Sequence, residues 1–284
     1  GALVERFGFS PQQAGGIVTL FLIGAVAASA IAASRFNQMN QRLSASVAFA
    51  IAAGAFLAAS NQTAFAPLAV LHFIAGLSVG AALSMVHGTI GRAANPHRLF
   101  AMAGIMLGLF AIILLAVVPQ LLINRGGPVL FQVFAAIMTV AALNCAVLFR
   151  NPTNSAEHEK KPFSRAMWFT ILGISIMTFN QAMVFSFVEV IGKARGFAPD
   201  NVLGVLIALG FVNFVLPSPL AAFLQTRIPA TTVTQIGPVI QVILAVIVTS
   251  ATVFPLWAPA AALFTPMGAM SFTSVSGRSS ELIF

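Results

Sequence analysis

Charge is what this sequence has least of. Only 7% of its 284 residues are charged and 59% are hydrophobic, whereas soluble domains carry roughly 25% charged residues. So small a polar share excludes a soluble globular domain and points to an integral membrane protein. Cysteine is nearly absent too. Cys145, the single one, lies in an apolar run without an intrachain partner, which excludes a disulfide framework and a thiolate metal site. Metalloprotease, phosphate-loop and dinucleotide motifs are also missing, so no catalytic residue, metal or cofactor is expected. No basic stretch with a short apolar segment and a cleavage site precedes the first apolar run, and no signal peptide is expected.

What the chain does have is long apolar sequence. Inside a bilayer every backbone N–H and C=O must be paired within the protein, which leaves helices or a closed barrel. The runs here are continuous rather than alternating, so the predicted class is all-α. At about 20 residues per crossing, spans fall at 11–33, 43–60, 67–91, 99–122, 129–149, 166–190, 201–224, 231–251 and 256–276. The net charge of +8 is spread between these runs instead of forming a stripe. The expected partners are therefore anionic lipid headgroups and not nucleic acid.

Placing the loop after the first span in the cytoplasm leaves Arg6, Arg125, Lys193 and Arg195 outside and the other ten of the 14 basic residues inside. That direction obeys the positive-inside rule. One connection is long and hydrophilic, RNPTNSAEHEKKPFSR at residues 150–165. It divides the chain into an N-terminal bundle at 1–150, a cytoplasmic linker at 151–165 and a partial C-terminal bundle at 166–284. Five spans precede the linker and four follow it, whereas a carrier built from matching halves has equal numbers.

With this organisation in view, the chain resembles the major facilitator superfamily along essentially its whole length. FGFSPQQAGGIVTLFLIG (7–24) is similar to the family's outer loop leading into helix 2. SRFNQMNQR (34–42) takes the place of the basic loop between helices 2 and 3. LHFIAGLSVGAAL (71–83) and GRAANPHR (91–98) resemble helix 4 and the loop after it. The resemblance implies a two-bundle helical transporter, with the spans here as helices 2 to 10 and the ends incomplete. Departures are visible too. Ser34, Arg35 and Asn37 stand where the family carries an Asp followed by Arg and Gly, and His72 stands where helix 4 commonly has an Arg. The fifth helix has Gly104 and Gly108 but lacks the Gly-Pro pair of proton-coupled drug antiporters.

The strongest polar signal is MTFNQAMVFSFVEVIG at 177–192. Asn180 lies about 3 Å from the middle of its span, and Gln181, Phe185 and Glu189 share an arc of about 80° running toward the outer edge. Polar groups at such depth either bond neighbouring helices or contact a transported solute. Asn180, Gln181 and Asn213 are the candidate substrate contacts. Glu189 is a candidate proton-binding acid or an interfacial carboxylate. His72, with a pKa near neutrality, is a candidate pH sensor, and it shares a small-residue sector with Gly76, Gly80 and His87. Pro217, Pro219, Pro238, Pro259 and Pro266 interrupt the later spans, which suits a site, a hinge or packing. GLSVG at 76–80 matches a serine-hydrolase pattern, but that pattern requires a strand-to-helix turn and nothing strand-like precedes it.

Together these features predict a monomeric, multi-pass secondary transporter of the plasma (inner) membrane. It would move a small organic solute by alternating access, with the proton as candidate coupling ion. No midplane Lys or Arg is available to balance an anion, so a neutral or cationic apolar solute is expected. Two alternatives remain open. A ten-helix drug and metabolite exporter suits the length, although its halves are joined by short loops. A truncated membrane protein without transport activity suits the unequal halves.

Overall fold

The computed structural model describes residues 2–93, 95–151, 165–215 and 230–264. Within them the regular structure is entirely helical. In chain order the helices are α1 (Ala2–Phe7), α2 (Pro11–Ser34), α3 (Gln41–Ala59), α4 (Phe65–Gly91), α5 (Pro96–Arg125) and α6 (Val129–Leu148), then α7 (Arg165–Ala194), α8 (Pro199–Val215), α9 (Ala230–Ser250) and α10 (Phe254–Phe264). A single 3₁₀ turn, Phe36–Gln38, joins α2 to α3. Eight of the predicted spans coincide with α2 to α9 to within a few residues at the described ends. The expected end of α8 near residue 224 and of α10 near residue 276 fall outside the described residues, as does the 152–164 part of the linker.

Among the described residues α2, α3, α4 and α6 are long and apolar enough to cross a membrane. Their outward faces agree with that reading: Val26, Leu43, Leu57 and Val147 are all more than half exposed, as lipid-facing side chains are. The chain is an all-α, multi-pass membrane protein. By its contacts it divides into two compact units, one holding 1–94 and 115–157 and the other 95–114 and 158–284. The boundary therefore runs through α5.

Local chemistry sets the helix ends. Before α2, Ser10 accepts from the Gln13 amide at 3.1 Å while its own N–H donates to Gln13 Oε1 at 3.0 Å. Pro11 occupies the first helical position, where its missing N–H is harmless. The short α1, which hydropathy does not reveal, ends at Gly8 with φ of 68°. That turn brings Phe7 and Phe9 onto a cluster with Phe65 and Phe131. α7 ends in a Schellman motif. The Phe197 amide donates to the Gly192 carbonyl and the Gly196 amide to Lys193, with Gly196 at φ 76°, a conformation that favours glycine.

In the first unit α4 packs against both α2 and α3, and α3 against α6. The α2–α4 crossing depends on missing side chains. A Cβ on Gly80 would lie 2.6 Å from Ala25 Cα, and one on Gly24 would lie 2.7 Å from the Phe73 carbonyl oxygen. Close approach lets the Ser29 hydroxyl donate to the Gly80 carbonyl at 2.9 Å and Ser84 to the Ser29 carbonyl at 3.3 Å. Small residues and interhelical serine bonds are the usual means of association where lipid removes the hydrophobic drive between helices. The sector of α4 that holds Gly76 and Gly80 is thus a packing face.

The second unit is built around Val184 and Val188 of α7, Val202 and Leu209 of α8, Val248 of α9, and Trp257, Ala261 and Phe264 of α10. Trp257, Ala261 and Phe264 are fully buried. α9 continues through Pro238 without ending, so the Gly237–Pro238 pair does not divide this helix.

Candidate functional site

Asn180 stands at the middle of α7 and is half-buried. Gln181 follows it on the same helix and Asn213 lies near the described end of α8. The side chains of Gln181 and Asn213 fall outside the described part of the structure. Eight residues beyond Gln181, about 12 Å along an unbroken helix, Glu189 accepts from Lys193 Nζ at 2.5 Å. Both side chains of that pair are more than half exposed. The sequence expectation of polar groups running along α7 from its centre to one end thus corresponds to a continuous helical backbone.

His72 is placed in the first unit, closed in by aromatic rings. It is 8% exposed. Its ring meets Phe56 edge-on at 5.7 Å and Phe131 at 5.2 Å. Nδ1 lies 2.7 Å from the Leu68 carbonyl one turn back, so the N–H sits on Nδ1 and donates there. This arrangement satisfies a neutral imidazole and surrounds it with apolar surface.

The basic end of the first unit is organised by residues that hydropathy does not single out. Phe36, 5% exposed, turns inward from the α2–α3 link and packs on Gly88 of α4. The Arg92 guanidinium lies 4.0 Å above its ring, a cation–π contact. Burial there lowers the Arg92 pKa from its ordinary value. Gln41 Nε2 donates to the Phe36 carbonyl at 2.8 Å. Beside this group Arg42 donates to the Ala146 carbonyl near the end of α6, through Nε at 2.8 Å and also through a second guanidinium nitrogen. The Arg42 backbone N–H donates to Asn151 Oδ1 at 2.8 Å. Arg35, Arg42, Arg92 and Arg150 therefore gather at one end of this unit. A guanidinium at a helix C-terminus is favoured by both its free carbonyls and its dipole.

A sequence profile of the Major Facilitator Superfamily matches residues 1–281. The chain belongs to the major facilitator superfamily. No curated protein matches the sequence.

Superfamily membership makes the α2–α3 link informative. The stretch Ser34, Arg35, Asn37 lacks the family's Asp, and in this member an aromatic side chain under an arginine ties the link to α4. The serine-hydrolase look-alike resolves into a helix interior, where Ser78 donates to the Ile74 carbonyl at 2.9 Å. Asp200, which hydropathy assigns to a loop, lies in the first turn of α8. One polar residue was missed altogether. Gln241 stands midway along α9 and is 2% exposed, and its Nε2 has no hydrogen-bond partner among the described residues. Leaving a buried donor unpaired costs about 1–3 kcal/mol. Its signal was present as a lone amide inside VIQVILAVI at 239–247, three residues past a proline.

Proposed function

We propose that this superfamily member is a secondary transporter that moves a small, neutral or cationic organic solute across the plasma (inner) membrane by alternating access. The observation that carries the proposal is the family match over residues 1–281. The half-buried amide at the centre of α7 agrees with it, because transporter sites lie at that depth. In this reading Asn180, Gln181 and Asn213 contact the solute, and the protein acts as a monomer. Glu189 is the proposed proton-binding acid, since proton uptake would break its pair with Lys193 and so couple protonation to a local change. The surroundings of His72 favour a packing role over pH sensing.

The test is solute uptake into proteoliposomes holding the product of the whole coding sequence, under an imposed pH gradient. Gln181→Ala is expected to lower uptake at unchanged protein incorporation. Glu189→Gln is expected to remove the dependence on the gradient while facilitated equilibration persists. His72→Gln is expected to leave the pH profile in place. Uptake that is insensitive to the gradient in the unsubstituted protein would refute proton coupling, and uptake untouched by every α7 and α8 amide substitution would refute the site.

A further inference from the structure

The second unit contains an open groove of about 460 Å³ between α8 and α10. Gly204, Val205 and Ala208 form one wall and Phe254, Ala258, Pro259 and Ala262 the other, with Asp200 and Asn201 at one end. It is a shallow depression open along one side and not an enclosed cavity. It exists because both walls carry small residues at helical spacing: 204 and 208 on α8, and 258 and 262 on α10. A Cβ on Gly204 would meet nothing within 4 Å, so the groove is open where that glycine lies.

The walls are fixed from behind. Val202 and Leu209, both 1% exposed, anchor α8 in the core, and fully buried Trp257 anchors α10. Phe254 is held in an aromatic group with Phe197 at 5.5 Å and Trp257 at 6.2 Å. Among the described residues Asp200 is the one charged side chain in the lining, and its carboxylate has no hydrogen-bond or ion-pair partner there. An apolar trough of fixed shape thus ends in an exposed carboxylate in the first turn of α8, beside an amide.

We propose that this groove binds an organic cation with an apolar body. The body lies along the small-residue walls, the positive centre sits at the Asp200 carboxylate with Asn201 beside it, and the Phe254 ring supplies cation–π attraction. Carboxylate and ring quadrupole both disfavour an anion of the same shape. The site is distinct from the amides on α7, and it stands or falls independently of the transport reading.

The experiment uses the purified full chain in detergent micelles. Equilibrium dialysis measures binding of radiolabelled tetraphenylphosphonium and of tetraphenylborate, which has nearly the same shape and the opposite charge. Saturable binding of the phosphonium at one per chain is expected, and no saturable binding of the borate. Asp200→Asn should weaken phosphonium binding about three- to fivefold, the scale of a partly exposed ion pair, and Asp200→Glu should retain it. Gly204→Leu, whose Cβ meets nothing within 4 Å, places a branched side chain in the groove and should abolish binding, with helical circular dichroism and the thermal transition unchanged. Equal binding of both ions, or phosphonium binding indifferent to Gly204→Leu or Asp200→Asn, would overturn the proposal. So would a groove occupied by lipid, seen as phosphonium binding in micelles that disappears when phosphatidylethanolamine is added.

Discussion

The α2–α4 crossing offers the sharpest test of how this chain holds together, through the substitution Gly80→Ala. Its new Cβ would lie 2.6 Å from Ala25 Cα and 2.7 Å from the Ala25 carbonyl carbon. Both obstacles are backbone, so no side chain can rotate away. The Ala25 carbonyl oxygen lies nearer still, so restoring ordinary contact at about 3.4 Å requires the helices to part by more than about 0.8 Å. Overpacking of this kind costs about 1–3 kcal/mol. Separation also weakens the Ser29–Gly80 and Ser84–Ser29 bonds, at about 0.6 kcal/mol each in a membrane protein. The sum is a loss of about 2–4 kcal/mol, less the few tenths to 1 kcal/mol that alanine gains over glycine in a helix. Cys145 supplies the assay. It is the single cysteine, it is 8% exposed, and it packs in the same core as Ala82 and Met85 of α4. Its reaction with a fluorogenic maleimide during a denaturant titration in micelles therefore reports opening of the first unit. Gly80→Ala should shift that transition to markedly lower denaturant. The control is Gly54→Ala, whose Cβ meets nothing within 4 Å and which should be neutral or mildly stabilising. Coincident curves for Gly80→Ala and the unsubstituted chain would refute the account of this crossing.

Three further outcomes follow from the same contacts. Phe36→Ala removes a buried ring from Gly88 and Arg92 and should destabilise by about 3 kcal/mol, with Phe36→Leu retaining more than half; equal effects would remove the cation–π contact from the explanation. Arg42→Ala frees the carbonyl of Ala146, next to Cys145, and should speed maleimide labelling of the native protein, a change that Arg42→Lys restores only in part because lysine lacks the planar fork; unchanged labelling would show that the α6 end is held by other contacts. Glu189→Gln should alter the same unfolding transition by less than about 0.5 kcal/mol, as expected for an exposed pair, so any transport defect in that variant is separable from misfolding.

Hydropathy by itself determined the class, the number and limits of most helices, and the basic asymmetry. These follow from one local rule: a bilayer forces each segment to satisfy its own backbone and to present apolar side chains over a fixed length. The positions of α2 to α9 could be read from residues a few places apart. The glycines at 76 and 80 were legible as small residues, and the Asn180–Gln181 pair as polar groups in an apolar run.

What those residues face was decided only by tertiary packing, because it depends on partners far away in the chain. His72 looked like a pH-sensitive replacement for an arginine until Phe56 and Phe131, sixteen and fifty-nine residues distant, closed around it. Phe36 was an ordinary aromatic in a loop until Gly88 and Arg92 received it. Asp200 was a loop acid until α10 supplied the opposite wall of a groove. In a chain with so few charged groups, the meaning of each is set by the helix that packs beside it, and sequence spacing along a single helix carries no information about that neighbour.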